Sequence, residues 1–169
     1  VALGPGGRIW TGGLGASTAT RGRVVRIAAV EGLTDTPQDW GVELVSTWGL
    51  ALACDQVGRL WIGAGDGLYC CEESVCRQVW PAAGEPPVWV VAVTADARGG
   101  VYYSYLDVSQ PGDDPPRGLM RCDGRACEAA LEGLPSWAAR AIAVSASGAL
   151  WLGLGTFSQI GMGGGLACL

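Results

Sequence analysis

Apolar residues in this chain fall in short runs broken by turn signals, and long helical stripes are absent. Aligned on a turn glycine, one phrase recurs as GRIW (7–10), GRLW (58–61), GGVY (99–102) and GALW (148–151). An Ala/Val-rich run precedes three of the copies: WGLALACDQV (48–57), WVVAVTADAR (89–98) and AARAIAVSAS (138–147). In these runs Ala51, Ala92 and Ala141 align, as do Leu52, Val93 and Ile142, and Asp55 and Asp96. Downstream come GLYCCEESVC (67–76), GLMRCDGRAC (118–127) and GLACL (165–169). Helical periodicity is confined to CEAALEGL (127–134), which is short and falls where the repeat calls for a strand.

Each unit is therefore predicted to be four short strands. The Ala/Val run is the first, and a Gly-containing turn leads to the LWIGA-type second. GLxxC is the third, and a tight turn gives the fourth. Pro-containing loops (PAAGEPP, GLPSW) lead to the next unit. Several strands per period of about 40 to 50 residues predict an all-β chain, a β-propeller of four-stranded antiparallel blades. The expected division is a partial first blade over 1–40, blades over 41–84 and 85–134, and a partial fourth over 135–169. Val1 is placed inside a first strand and Leu169 inside a third, giving about three and a half blades where a ring needs about four to eight. The expectation is an incomplete ring, continued by further blades of the same propeller or by another protein chain. A four-bladed ring from this segment alone is the other arrangement.

The phrase from Asp55 to Leu68, D-x-x-G-x-L-W-x-G-x-x-x-G-L, resembles the two-component-regulator propeller repeat. That resemblance covers most of the chain as repeats and implies an extracytoplasmic sensor region or a secreted protein. Tyr102 in place of Trp, the insertion DVSQPGDDPPR (107–117), the missing Asp of the last unit and its insertion TFSQIGMGG depart from the pattern. The first unit, GPGGRIWTGGLG followed by GRVVRI, is more weakly similar to streptogramin-lyase and NHL-type propeller repeats. Streptogramin-lyase chemistry uses a His, which this chain lacks.

Charge and composition narrow the function. The net charge is −5, all 11 cations are Arg, and no Arg stripe forms, so nucleic acid is not an expected partner. The longest apolar run, VWVVAV (88–93), is too short to span a bilayer, so no membrane insertion by this segment is expected. No charged-then-apolar leader opens the chain, so a signal peptide is expected to be absent or already removed. With no His, neither a Ser-His nor a Cys-His nucleophilic pair can be built from this segment. GGLG (12–15) and GMGGG (161–165) lack the Lys and helix of a phosphate loop and read as turns. No cofactor, metal or catalytic residue is expected. An enzyme with its active site in other blades is the alternative, as is a ligand-sensing receptor propeller.

Seven Cys are many for a reducing compartment. Cys71 with Cys76, and Cys122 with Cys127, each flank a short turn, which sets them opposite one another on neighbouring strands. Disulfides are expected at both, pinning outer, solvated hairpins, and they point to an extracellular or periplasmic location. Zinc is the rival reading, but there is no His and no C-x2-C. Cys168 is placed where a third such pair begins, and Cys54 reads as a buried thiol. Trp10, Trp61, Tyr102 and Trp151 recur at one point of the second strand and are assigned to packing between blades. Trp48, Trp89 and Trp137 enter the first strand at one face of the ring. With Arg140, which aligns with Leu50 and Val91, they are the candidate ligand-binding residues, for a carbohydrate or other small ligand; a hydrophobic plug is the competing role for the Trp set. Asp107, Asp113 and Asp114 lack the spacing of an ordered calcium loop and read as a solvated acidic surface. The function expected is a non-catalytic binding or scaffold module.

Overall fold

The computed structural model describes residues 1–5, 9–14, 21–27, 38–45, 51–72, 75–107, 109, 117–131, 138–155 and 164–169, with backbone alone for 11–14, 21–27, 38–45 and 138. The regular elements among the described residues are strands. The first sheet holds β1 (Ala2–Leu3), β2 (Ile9–Leu14), β3 (Arg21–Ile27) and β4 (Gln38–Val45). The second holds β5 (Ala51–Cys54), β6 (Leu60–Ala64), β7 (Gly67–Glu72) and β8 (Val75–Trp80). The third holds β9 (Trp89–Ala95), β10 (Val101–Leu106), β11 (Arg117–Cys122) and β12 (Cys127–Leu131). The fourth is three-stranded, with β13 (Ala138–Val144), β14 (Leu150–Gly155) and β15 (Gly165–Cys168). Every sheet is an antiparallel meander in chain order. β4 runs across the 40/41 boundary drawn from the sequence, so the first sheet reaches Val45. The helix-like window CEAALEGL contributes strand β12.

The repeat is a repeat of register. Leu52 pairs with Ile62, Val93 with Tyr103, and Ile142 with Leu152. One step along, Ala53 opposes Trp61, Thr94 opposes Tyr102, and Ala143 opposes Trp151. Ala2 opposes Trp10 in the same way. Side chains alternate between faces along a strand, so identical register puts equivalent residues on equivalent faces. The turn between first and second strands is also shared: the Gly58 N–H reaches the Asp55 carbonyl at 3.1 Å, and the Gly148 N–H reaches the Ser145 carbonyl at 2.9 Å. Gly58, Gly99 and Gly148 hold φ of +91°, +82° and +87°, a region that costs a side-chain-bearing residue, which explains the invariant glycine of the repeat.

The sheets pack face to face in chain order. Strand β1 lies against β5, β5 against β9, and β9 against β13. Between the first and second sheets, Ala2 and Trp10 join Leu52, Leu60, Ile62, Ala64 and Cys71. Between the second and third, Trp61, Leu68 and Cys70 meet Val90, Val101, Tyr103 and Cys122. Between the third and fourth, Leu119 meets Ala139, Leu150 and Leu152, with Tyr102 beside them. Full burial of one large apolar side chain contributes about 1.5–3 kcal/mol, so these three layers are the main attraction holding the sheets together. Small residues let the first strands approach: a Cβ on Gly63 would stand 2.5 Å from Val90 Cγ1. In the third sheet Ser104 takes that position, and its buried hydroxyl donates a 2.5 Å hydrogen bond to the Ala139 carbonyl of β13.

Candidate functional site

The densest polar cluster is built by the first turn of the second sheet. Asp55 is buried, and its Oδ1 accepts the backbone N–H groups of Val57 (3.1 Å) and Arg59 (2.9 Å). Its Oδ2 accepts Arg59 Nε (2.7 Å) and Trp61 Nε1 (3.0 Å). Four donors, one of them the paired Arg59 guanidinium, satisfy a carboxylate that burial alone would expel. Arg59 also lies 5.4 Å from the Trp61 ring centroid and donates 2.6 Å to the Gly99 carbonyl of the third sheet. Arg77 makes a parallel link, from β8 to the Gly124 carbonyl, at 2.7 Å. The cluster therefore orders a turn and ties two sheets together.

The third sheet reaches the same end with different residues. Asp96 Oδ1 accepts the N–H groups of Arg98 (2.6 Å) and Gly100 (3.1 Å), and Oδ2 accepts Arg121 Nε at 2.7 Å. Burial pushes the Asp96 carboxyl upward, but the Gly100 and Arg98 amides and Arg121 outweigh it and hold it below its ordinary value. Gly100 stands where the second sheet has Arg59, and the cation comes from β11. In the fourth sheet Ser145 Oγ accepts the Ala149 N–H at 3.0 Å.

Cys71 and Cys76 pair directly across β7 and β8, with Cα atoms 4.0 Å apart, and form a disulfide. Cys122 and Cys127 do the same across β11 and β12, at 4.2 Å. The bridges are less solvated than expected. Cys71 and Cys122 are buried in the layers between sheets, while Cys76 and Cys127 are half-buried on outer strands whose other residues are largely exposed. Each bridge thus ties an outer strand to the core. Cys168 corrects an expectation: it opposes Trp151 as Cys70 opposes Trp61, whereas the disulfide position of the fourth sheet is Leu169, which bonds Leu150. One residue along a strand reverses the face, so Cys168 is the counterpart of Cys70 and not of Cys71. Cys70 is buried, and that burial pushes its thiol above the ordinary value. Cys54, expected to be buried, is half-buried.

Of the candidate ligand residues, Trp48 and Trp137 lie outside the described residues. Trp89 opens β9, opposite Leu106, and is half-buried. Arg140 is exposed on β13, where the register shifts between Ala139 and Ala141. Val91, its sequence equivalent, sits at the corresponding shift of β9. Both occupy a β-bulge, a device that re-aims a side chain, and the Arg140 stem lies over Gly155. Sequence reasoning missed an aromatic group: Trp80 ends β8 and packs 5.4 Å from Tyr103 and 4.8 Å from Tyr105. Asp107 accepts the N–H and hydroxyl of Ser109, while Asp113 and Asp114 lie outside the described residues. Among the described residues no group of three or more His, Cys, Asp or Glu is placed to hold a metal ion, and no helix is long and apolar enough to cross a membrane.

The chain matches no family model, no curated protein and no solved structure, so its function is argued from its own residues.

Proposed function

We propose that this chain is a β-propeller segment working outside the cytoplasm as a non-catalytic binding or scaffold module. The observation that carries the reading is the repetition of one unit in one register. Successive meanders stack through their first strands, and two consecutive ones close the same hairpin with a disulfide. Stacking of four-stranded meanders about their first strands is how propeller blades are arranged. Paired cysteines favour an oxidising compartment. The polar clusters of Asp55 and Asp96 are consumed by backbone amides and Arg partners, as expected of structural groups. The half-buried Trp89 and the exposed Arg140 are the proposed contacts for a carbohydrate or other small ligand.

The test is incubation of the exported protein with a panel of glycans and small anionic ligands. Binding is followed by Trp fluorescence and ligand integrity by mass spectrometry. Every ligand is expected to be recovered chemically unchanged, with any binding weakened in Trp89→Ala and Arg140→Ala. Conversion of a ligand overturns the non-catalytic reading.

A further inference from the structure

A free thiol and a disulfide share the layer between the second and third sheets. Cys70 opposes Trp61 on one side and Arg77 on the other, so the three form one cross-strand row, and Trp61 and Cys70 face the third sheet. Cys122 and Cys127, which are bonded to each other, belong to the same apolar layer. The hairpin that their bridge closes sits on the row. Arg77 donates 2.7 Å to the Gly124 carbonyl in its turn. A Cβ on Gly124 would stand 3.0 Å from Arg59 Nη1 and 3.5 Å from the Trp61 ring. Cys127 Sγ lies 4.0 Å from the carbonyl of Val79, on the strand that carries Arg77. Cys70 is a free cysteine, 1% exposed.

The other bridge is placed differently. One residue along β7, Cys71 points away from this layer, and Cys71 and Cys76 pack with Ala2 and Trp10 of the first sheet. The residue that opposes Trp10 from β3, as Cys70 opposes Trp61 from β7, is Arg26. The repeat thus offers a thiol to the Cys122–Cys127 bridge and an arginine position to the Cys71–Cys76 bridge.

We propose that Cys70 is a built-in exchange partner of the Cys122–Cys127 disulfide. Its thiolate attacks Cys122 Sγ, the Cys122–Cys127 bond breaks, and Cys127 leaves as a thiolate that takes a proton from water. One S–S bond forms as one breaks, and the proton that Cys70 gives up is matched by the one Cys127 takes, so neither oxidant nor reductant is consumed. Cys122 is the attacked sulfur because it is buried with Cys70, whereas Cys127 is half-buried on an outer strand and leaves toward water. The product exchanges a staple within the third sheet for one between β7 and β11. The loop it closes is far longer than the hairpin, so it constrains the unfolded chain more. Burial pushes the Cys70 thiol up, against the opposing pull of Arg59 and Arg77. Thiolate is therefore scarce at neutral pH, and Cys122–Cys127 is the resting bridge. The inference rests on the stacking of the second and third sheets, not on the compartment or the absence of catalysis.

The test is disulfide mapping without reduction. The full chain is held without added thiol at a series of pH values over which its far-UV circular dichroism is unchanged, quenched with acid and a thiol-blocking reagent, and cut with trypsin. Cleavage after arginine separates the sulfurs: 60–77 carries Cys70, Cys71 and Cys76, 122–125 carries Cys122, and 126–140 carries Cys127. At neutral pH, 122–125 is expected to be linked to 126–140. As pH rises, a species linking 60–77 to 122–125 is expected, with Cys127 blocked. Its rate is expected to rise about tenfold per pH unit, following the thiolate fraction, and to be independent of protein concentration. Cys70→Ser is expected to abolish it and to keep Cys71–Cys76 intact. A segment 122–125 that stays linked to 126–140 at every pH overturns the proposal. So does exchange that persists in Cys70→Ser, which is the work of another thiol. A link from 60–77 to 126–140 overturns it too, because Cys127 is then the attacked sulfur.

Discussion

Trp61 Nε1 donates a 3.0 Å hydrogen bond to Asp55 Oδ2, so the aromatic and the acid of the repeated phrase are partners across one turn. The indole fills the layer against the third sheet while its N–H closes the turn that begins its own strand. In the second sheet aspartate, turn glycine and tryptophan form one device, of which the third sheet keeps the Asp and Gly with Tyr102 and the fourth keeps the Gly and Trp with Ser145. The carboxylate caps the turn, the glycine takes the left-handed position, and the indole seals the carboxylate from water.

Asp55→Ala removes the acceptor of four hydrogen bonds and leaves the Trp61 N–H buried without it. Unfolding in urea is expected to show a loss of about 3 kcal/mol. Asp55→Asn keeps an acceptor and the volume, and is expected to lose less. Equal stability of Asp55→Ala and wild type contradicts the turn's role.

Asp96 sets part of the acid response. Its folded carboxyl titrates below its ordinary value, so the unfolded chain binds the proton more tightly. The resulting stability is present above the unfolded value of about 3.9 and is lost as pH falls through the lower folded value. Asp96→Asn is expected to be less stable at neutral pH and to lose less on acidification below about pH 4. An unchanged acid limb in the variant contradicts this assignment.

Gly63 lets the second and third sheets approach closely, leaving no room for a side chain beside Val90. Gly63→Ala drives a methyl into Val90, and a cost of about 1–3 kcal/mol is expected. Val90→Ala on that background is expected to recover part of the loss, although alone it destabilises. Simple additivity of the two changes contradicts a direct clash.

Tyr103 is fully buried, yet its hydroxyl has no hydrogen-bond partner among the described residues, and burial pushes the phenol well above its ordinary range. Removing the hydroxyl leaves the ring between Trp80 and the core. Tyr103→Phe is therefore expected to raise stability by about 1 kcal/mol, opposite in sign to the usual loss of a tyrosine hydroxyl bond. A destabilised variant shows that the hydroxyl is paired.

Much of the architecture was legible because the repeat constrains register. Once Leu52, Val93 and Ile142 align, alternation along each strand assigns a face to every neighbour, and opposed cysteines follow. Compensation between strands was not legible. Arg121 stands in for Arg59 from a different strand, and no spacing within the repeat announces it. The bulges at Val91 and Arg140 were also hidden, because an extra residue in a strand leaves the apolar pattern nearly intact. Cys168 was misplaced by one residue, which in a strand means the opposite face. The exposure of Trp151 could not be read either, since its strand, GALW, resembles the GRLW that carries buried Trp61.

The disulfide-tied repeat is tested most directly by alkylating the protein in denaturant without reductant, then reducing, labelling with a second reagent and mapping the sites. The expected result is first-reagent labelling at Cys54, Cys70 and Cys168 only, with Cys71 linked to Cys76 and Cys122 to Cys127. Replacing either linked pair by alanines is expected to cost about 2 kcal/mol, the entropy of so short a closed loop. First-reagent labelling of all seven cysteines in protein taken from its own compartment contradicts both the tied hairpins and the extracytoplasmic reading.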